Sequence, residues 1–480
     1  MDFTIPDVNF ISFAPEVILL LFATILLFVQ SGSGRRGVCA LLAFLALVSN
    51  ILMTPFYWGK GIEGFGGLII RDNFSIMCQT MIIVAVILVI VYSYQYLVFE
   101  EKNLGEYYTL LLTSVVGMNI MIASTNLMVI FMGMEILSMS LYVLVAFFKT
   151  VREGMEASIK YFLLGAFASA IFLLGISFFY GASGKTGLDA FVMFDATSKL
   201  TVPFFFVGIS LIMVGLGFKI ASVPFHMWAP DAYEGAPTSV ASFLSVAPKI
   251  AGMAVIFRVG IEMSKYFPEV MLTIIAFMAV TSMIVGNFAA MRQSGLVRML
   301  AYSGIAQVGY MMISLLAIPQ GGGSALLFYL SIYVLMNMGA FGIAVLLSKK
   351  KDKRVQINDL KGLAGEHPVI AFTMAVFMLS LAGIPPTGGF FAKFYVFTHG
   401  IEAGYLWVVI IAVITTVASL YYYFRVIVFM YMTEEEAGIL PKNIGINLFN
   451  FALIVAALLI IVLGVIPGSL LELAQQAVVF

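Results

Sequence analysis

Long apolar stretches separated by short polar ones run the whole length of the chain. A helix that crosses the hydrocarbon core of a bilayer needs about 20 consecutive, mostly apolar residues. Fourteen stretches qualify, at about 12–30, 37–57, 74–98, 107–123, 126–148, 158–180, 201–223, 237–261, 268–290, 297–317, 323–348, 368–397, 402–430 and 447–470. No connection between them is longer than about 20 residues, so no soluble domain that could hold a nucleotide is expected. Asp2 and Asp7 precede the first stretch, where a cleaved leader would carry basic residues, so this stretch reads as a true span. The expected fold is an all-α membrane protein of about 14 transmembrane helices.

The polar connections set the orientation. With the N-terminus outside, the cytoplasmic connections hold fourteen of the 25 Lys and Arg residues, the other side holds six, and five fall within or at the edge of spans. This bias follows the positive-inside rule and predicts both termini on the outer, periplasmic side. The basic run 349–354 then reads as a topology anchor, with a lipid-headgroup site as the weaker account.

Composition removes several classes of function. Hydrophobic residues make up 62% of the 480 and charged residues only 10%, which excludes a disordered chain. Basic and acidic residues balance at 25 each, which leaves no basic face for nucleic acid. The two cysteines, Cys39 and Cys78, are too few for an iron–sulfur cluster, which takes about four. Three histidines, His226, His367 and His399, do not make a His-rich metal site. No redox cofactor is expected on this chain.

The charges inside spans are the first candidates for chemistry. The five cations are Lys160, Lys219, Lys249, Lys393 and Arg425, and the clearest buried acid is Glu135. Each charge near the bilayer centre costs at least about 2.5–3.5 kcal/mol, and such residues default to functional sites facing the bundle interior. Lys160 and Arg425 lie near span ends, where an ion pair or a snorkelling side chain explains them equally well. Lys219, Lys249 and Lys393 lie deep and outnumber the one deep acid.

Prolines coincide with these lysines. Pro224 follows Lys219 by five residues, Pro248 immediately precedes Lys249, and Pro385-Pro386 precede Lys393. A proline inside a helix removes a hydrogen bond and clashes with the carbonyl at i−4. Pro224 therefore frees the carbonyl of Ile220, and Pro385 and Pro386 free those of Leu381 and Ala382. Broken backbone at membrane depth persists only where it is buried in protein or lines a wet cavity. Paired interrupted helices point to an ion site in transporters built from inverted repeats. The two breaks lie five spans apart. This spacing predicts three N-terminal helices (1–106), two inverted five-helix repeats (107–262 and 268–430), each with a broken helix, and a C-terminal helix (431–480).

The chemistry that follows is proton handling. Burial in a low dielectric favours the neutral form of a lysine, and a nearby carboxylate opposes this. Movement of Glu135 would then decide whether Lys219 holds its proton, and protons would pass through Lys219, Lys249 and Lys393 over bridging waters, with His226 and Tyr side chains as helpers. His226 lies seven residues after Lys219 and would share its face if the helix continued past Pro224. An interfacial histidine packed beside Trp228 is the competing account. His367 and His399 sit at span edges and are expected to be exposed. Gly184-Lys185-Thr186 is not a phosphate-binding loop, because Phe179 stands where its first glycine belongs.

Residues 219–252 read K-I-A-S-V-P-F-H-M-W-A-P-D-A-Y-E-G-A-P-T-S-V-A-S-F-L-S-V-A-P-K-I-A-G. Three more segments are K-Y-F-L-L-G-A-F-A-S at 160–169, V-R-M-L-A-Y-S-G-I-A-Q-V-G-Y at 297–310 and S-L-A-G-I-P-P-T-G-G-F-F-A-K-F-Y-V at 380–396. In this order, and with fourteen spans over the whole chain, they resemble the antiporter-like membrane subunits of respiratory complex I (NADH:quinone oxidoreductase). The resemblance implies a subunit that translocates protons while other subunits oxidise NADH and reduce quinone. Its implied partners are the other membrane subunits and, through them, the hydrophilic NADH-oxidising arm, in a bacterial inner membrane. It implies an enzyme only as part of that translocase, with no redox active site on this chain. The family's glutamate on the fifth span matches Glu135, and its lysines on the seventh, eighth and twelfth match Lys219, Lys249 and Lys393. Several relatives have histidine in the tenth span where this chain has Gln307. Glutamine does not protonate near neutral pH, so a relay there would need a water that Gln307 orients. A sodium/proton antiporter subunit of the Mrp type, or a membrane-bound hydrogenase subunit, is the alternative within the superfamily. A scaffold that only anchors a complex is the alternative outside it.

Overall fold

The structure, a computed structural model, describes residues 8–30, 36–99, 104–149, 151–193, 201–266, 268–348, 355–433 and 447–478. The basic run 349–354 lies outside the described residues. At the N-terminus stand α1 (Ala14–Gln30) and α2 (Arg36–Tyr57), then a short antiparallel hairpin of β1 (Ile62–Gly64) and β2 (Ile69–Arg71), then α3 (Asn73–Phe99). Next come α4 (Leu104–Ala123), α5 (Leu127–Val145), α6 (Arg152–Ser183), α7 (Ala190–Met193), α8 (Thr201–Lys219), α9 (Trp228–Gly235) and α10 (Thr238–Tyr266). They are followed by α11 (Pro268–Met291), α12 (Leu296–Leu316), α13 (Gly322–Leu347), α14 (Leu363–Glu366), α15 (Pro368–Ala382), α16 (Gly388–Glu402) and α17 (Leu406–Tyr431). The chain closes with α18 (Leu448–Val465) and α19 (Gly468–Ala477).

Among the described residues, 13 helices are each long and apolar enough to cross a membrane. The halves α15 and α16, of 15 residues each, supply one further span in two pieces. Helices α10, α12 and α13 are buried along most of their length and form the centre. Large apolar side chains on α1, α5, α6 and α17 face outward, among them Phe28, Met132, Phe167 and Ile414. That inside-out pattern suits a surface covered by lipid or by other apolar subunits rather than by water.

The breaks in α8 and α15 are built alike. After α8, the backbone N–H of Ala221 donates to the Phe218 carbonyl (3.0 Å) and that of Ser222 to the Gly217 carbonyl (2.9 Å). After α15, Gly383 donates to Ser380 (3.0 Å) and Ile384 to Leu379 (3.0 Å). Each is a Schellman termination, whose C′ residue takes the left-handed conformation. Gly383 has φ 82° and Ala221 has φ 57°. The break in α8 thus comes at Lys219, four residues before the end of the apolar stretch that extends to residue 223. Pro224 marks the break in the sequence, but the residue at which α8 ends is not marked, because alanine is an uncommon residue for this conformation.

A second geometry also recurs. Asn126 bridges Gly187 antiparallel, and Gly295 bridges Gln356 in the same way, both members displaced by the same interval. Leu127 donates to the Thr186 carbonyl and Leu188 to that of Thr125, as Leu296 does to Val355 and Ile357 to Ser294. Gly117 and Gly286 stand at that same interval. A Cβ on Gly117 would lie 2.6 Å from the Gly133 carbonyl, and one on Gly286 would lie 2.6 Å from the Ala306 backbone nitrogen. Small residues let membrane helices approach this closely. In each half, then, the second helix starts from one short bridge and packs on the first through a glycine of each, Gly117 and Gly133 in one half and Gly286 and Gly309 in the other. Five spans per half is an odd number, so the second half enters the bilayer from the opposite side.

Candidate functional site

Lys219, the last residue of α8, is 3% exposed, Lys249 in α10 is 1% exposed, and Lys393 in α16 is 4% exposed. Among the described residues, none of the three pairs with a carboxylate; each holds hydroxyl or carbonyl oxygens instead.

Lys219 Nζ donates to Ser138 Oγ on α5 at 2.6 Å, and Ser138 in turn donates to the Met134 carbonyl one turn back. Glu135, three residues before Ser138, does not reach Lys219. Its carboxylate accepts the Ser169 hydroxyl from α6. Glu135 is only half-buried. The fully buried acid among the described residues is Glu16 on α1, paired with Arg71 of β2.

Lys249 Nζ donates to the Gly304 carbonyl of α12 (2.9 Å) and to the Tyr333 hydroxyl of α13 (3.3 Å). The Leu244 carbonyl, which Pro248 leaves without its helical donor, accepts the Tyr233 hydroxyl at 2.9 Å. Tyr333 donates to the neighbouring Ser245 carbonyl (3.0 Å), and Asn337 donates to the Ser245 hydroxyl (2.7 Å).

At the second break, the two carbonyls that the proline pair frees both have partners. Gln307 Nε2 donates to Leu381 (3.0 Å), and Lys393 Nζ donates to Ala382 (3.2 Å). Gln307 Nε2 also reaches Tyr423 Oη (3.2 Å), and its Oε1 accepts the Tyr329 hydroxyl. Tyr423 shares a hydrogen bond with Ser303, the residue before Gly304. Lys393 Nζ lies 4.6 Å from the centre of the Tyr310 ring. Tyr310 continues through Asn287 (3.0 Å) to Tyr422 (2.9 Å). A group of polar side chains centred on Gln307 therefore lies between Lys249 and Lys393, meeting each lysine through adjacent backbone carbonyls, those of Gly304 on one side and of Leu381 and Ala382 on the other. Beside Lys219, Ile220 packs closely on the helix that carries Lys249: a Cβ on Gly252 would lie 2.5 Å from an Ile220 methyl carbon.

The remaining sequence candidates lie elsewhere. Lys160 is 49% exposed and forms ion pairs with Glu156 (2.8 Å) and Asp231 (3.5 Å). At about 1.5 Å per residue, α6 is about 48 Å long and extends past a core of about 30 Å, so a residue two turns from its start lies near the edge of that core. Arg425 caps the end of α11 by donating to the Met291 and Gln293 carbonyls. His226 follows the break and shares no helix face with Lys219, because α8 has already ended. His367 is buried rather than exposed and precedes α15, whereas His399 pairs with Glu402 at 2.9 Å. Asp231 and Glu234, the latter in the Tyr-Glu-Gly-Ala-Pro segment, lock α9 onto α12: Arg298 Nη1 meets Asp231 Oδ1 (2.9 Å) and Glu234 Oε2 (2.8 Å). The sequence points to tyrosines as helpers of the lysines without singling any out, and the structure singles out Tyr329, Tyr333 and Tyr423. The sequence signal for this network is the spacing of Tyr329, Tyr333 and Asn337, which places all three on one face of α13.

The family described as "NADH:quinone oxidoreductase/Mrp antiporter, TM" matches residues 124–419. The chain is 40% identical over 472 residues to NADH-quinone oxidoreductase subunit N of Trichlorobacter lovleyi, covering 97% of this chain and 96% of that one. It superposes on a chain of respiratory complex I from Thermus thermophilus with a TM-score of 0.83 at 32% identity, covering 96% of this chain and 99% of that one. A chain of the Mrp complex from Dietzia sp. DQ12-45-1b shares the fold, with a TM-score of 0.81, 21% identity and 96% of each chain covered.

Proposed function

This chain belongs to the NADH:quinone oxidoreductase/Mrp antiporter transmembrane family, and from that premise we propose that Glu135, Lys219, Lys249 and Lys393 carry protons through it. The chain is a multi-pass, proton-translocating membrane subunit of an NADH:quinone oxidoreductase in the bacterial inner membrane. It sits among the other membrane subunits of respiratory complex I, whose electron transfer drives it, and it holds no redox cofactor of its own in this reading. The residue assignment rests on one observation: three buried lysine amines have oxygen partners and, among the described residues, no carboxylate partner. A permanent ion pair would fix each charge. A hydroxyl or carbonyl partner accepts a hydrogen bond from either protonation state of the amine, so the proton can leave.

Lys219 exchanges its proton under the control of Glu135. Lys249 and Lys393 follow, joined through Gln307 and its tyrosines, and water bridges Lys219 and Lys249. Gln307 orients the hydrogen bonds and does not itself ionise. His226 and the exposed Lys160 are accessory in this scheme. Both termini lie on the periplasmic side, a reading supported by the fourteen-to-six bias of Lys and Arg.

The test is proton transport by the assembled complex with Lys219, Lys249 or Lys393 changed singly to alanine. Each variant should assemble and lose transport. Assembled variants that pump at the parent rate would make this subunit a scaffold.

A further inference from the structure

A serine inside a helix normally turns its hydroxyl onto its own backbone four residues back. On α6, Ser177 does so toward the Leu173 carbonyl and Ser183 toward the Phe179 carbonyl. Ser169, on the same helix, instead donates across the α5–α6 seam to the Glu135 carboxylate, whereas Ser158, which also crosses that seam, takes only the Tyr142 backbone carbonyl (2.7 Å). The seam is tight enough for this because Gly165, one turn earlier, has no side chain: a Cβ there would lie 2.0 Å from Tyr142 Oη of α5.

We infer that Ser169 is a positioning residue that holds the Glu135 carboxylate on α6, away from Lys219. This rests on the role given to Glu135 above. The pair then has two arrangements. In the one seen here, Glu135 takes the Ser169 hydroxyl while Lys219 takes that of Ser138. In the other, the carboxylate leaves Ser169, turns along α5 past Ser138 and meets the ammonium. Ser138 stands one helical turn from Glu135 and already touches Lys219, so it keeps the amine in place during the exchange.

The two related halves give an independent reason. At the interval that carries Asn126 to Gly295 and Gly187 to Gln356, Glu135 becomes Gly304 and Ser169 becomes Met338. The second half lacks the carboxylate and the hydroxyl together, and Lys249 there takes the Gly304 backbone carbonyl instead. A serine retained for helix packing alone would not have to come and go with the acid.

The experiment uses the assembled complex with Ser169→Ala, Ser169→Thr, Glu135→Gln and the double variant Ser169→Ala/Glu135→Gln. Proton transport is measured together with the subunit's abundance in the purified complex. Ser169→Ala should lower transport about tenfold, the effect of one hydrogen bond to a charged group. Ser169→Thr, which keeps the hydroxyl, should restore it. The double variant should fall no lower than Glu135→Gln alone. The infrared carboxyl band that disappears in Glu135→Gln should shift in Ser169→Ala. An unshifted band, failure of threonine to rescue, or a double variant at the product of the two single losses overturns the role of Ser169. Parent-rate transport in Glu135→Gln sinks the underlying reading of Glu135 instead, whereas loss there with parent-rate transport in Ser169→Ala sinks only the positioning role.

Discussion

Lys393 Nζ donates to the carbonyl oxygen of Ala382 at 3.2 Å, so the cation of α16 closes the end of α15, the other half of the same broken span. The last carbonyls of a helix carry its partial negative charge, which favours a cation there. The arrangement steadies the protonated amine without a carboxylate that would trap it.

Replacement of Lys393 by methionine keeps the volume of the side chain and removes the proton carrier. Proton transport in the assembled complex should fall by roughly 10²-fold or more, the contribution of one positioned proton-transfer group. The Ala382 carbonyl loses its partner at a cost of about 1–3 kcal/mol, offset in part by removal of a buried charge. Subunit abundance should therefore stay near the parent level. Normal transport at normal abundance would remove Lys393 from the path.

Gln307 occupies both of its polar ends: its amide nitrogen serves Leu381 and Tyr423, and its oxygen serves Tyr329. Gln307→Leu strands the Leu381 carbonyl and the Tyr329 hydroxyl, since Tyr423 keeps Ser303. Two stranded buried groups should lower stability by roughly 2 kcal/mol or more. Gln307→His retains a ring N–H donor and should lose less. Thermal unfolding of the solubilised complex reads the order parent, His, Leu; equal midpoints for the two variants would show that the network does not depend on this donor.

Much of the fold is plain in the apolar pattern, because a bilayer imposes a length on every helix and leaves few ways to be wrong about it. The second break was also legible: two adjacent prolines free two named carbonyls, and those carbonyls are the ones that take Gln307 and Lys393. The first break was legible from Pro224, but the residue that ends α8 was not, because Ala221 adopts a conformation that the sequence would assign to glycine. Glu16 and Arg71 escaped notice because each stands beside a span end, where a charge reads as solvated. Whether it is buried there depends on a hairpin and on neighbouring helices that no periodicity records. Which tyrosines assist the lysines is hidden for a related reason, since in a membrane protein a buried tyrosine and an outward-facing one look alike in sequence.

Gly389 starts α16 hard against the end of α15. Its N–H donates to Ser380 Oγ at 3.2 Å, and a Cβ on it would lie 1.8 Å from the Ser380 carbonyl oxygen. A backbone oxygen in a helix cannot step aside as a side chain can, so Gly389→Ala must part the two half-helices. Overpacking of this kind costs about 1–3 kcal/mol. The thermal midpoint of the complex should drop, and transport should weaken as Lys393 loses its register with Ala382. Gly365→Ala, where nothing lies within 4 Å of the added carbon, is the control and should leave both unchanged.

The pair of Arg71 and Glu16 is the most completely buried charge contact among the described residues, at 1% and 0% exposure. Arg71 also donates to the Ser12 carbonyl (2.9 Å) and to Gln79 Oε1 (3.1 Å), and Gln79 passes the chain to Asn50 (3.1 Å). One cation thereby ties together α1, α2, β2 and α3. Removing one member of a buried ion pair leaves an uncompensated charge and destabilises by about 3–5 kcal/mol, whereas replacing both by apolar groups of similar volume is often neutral. Arg71→Met should therefore sharply reduce subunit abundance, and so should Glu16→Leu. The double variant should recover much of that loss, since neither charge is then left alone. A double variant as depleted as the sum of the singles would mean that the two side chains act separately, with Arg71 needed for Ser12 and Gln79 rather than for Glu16.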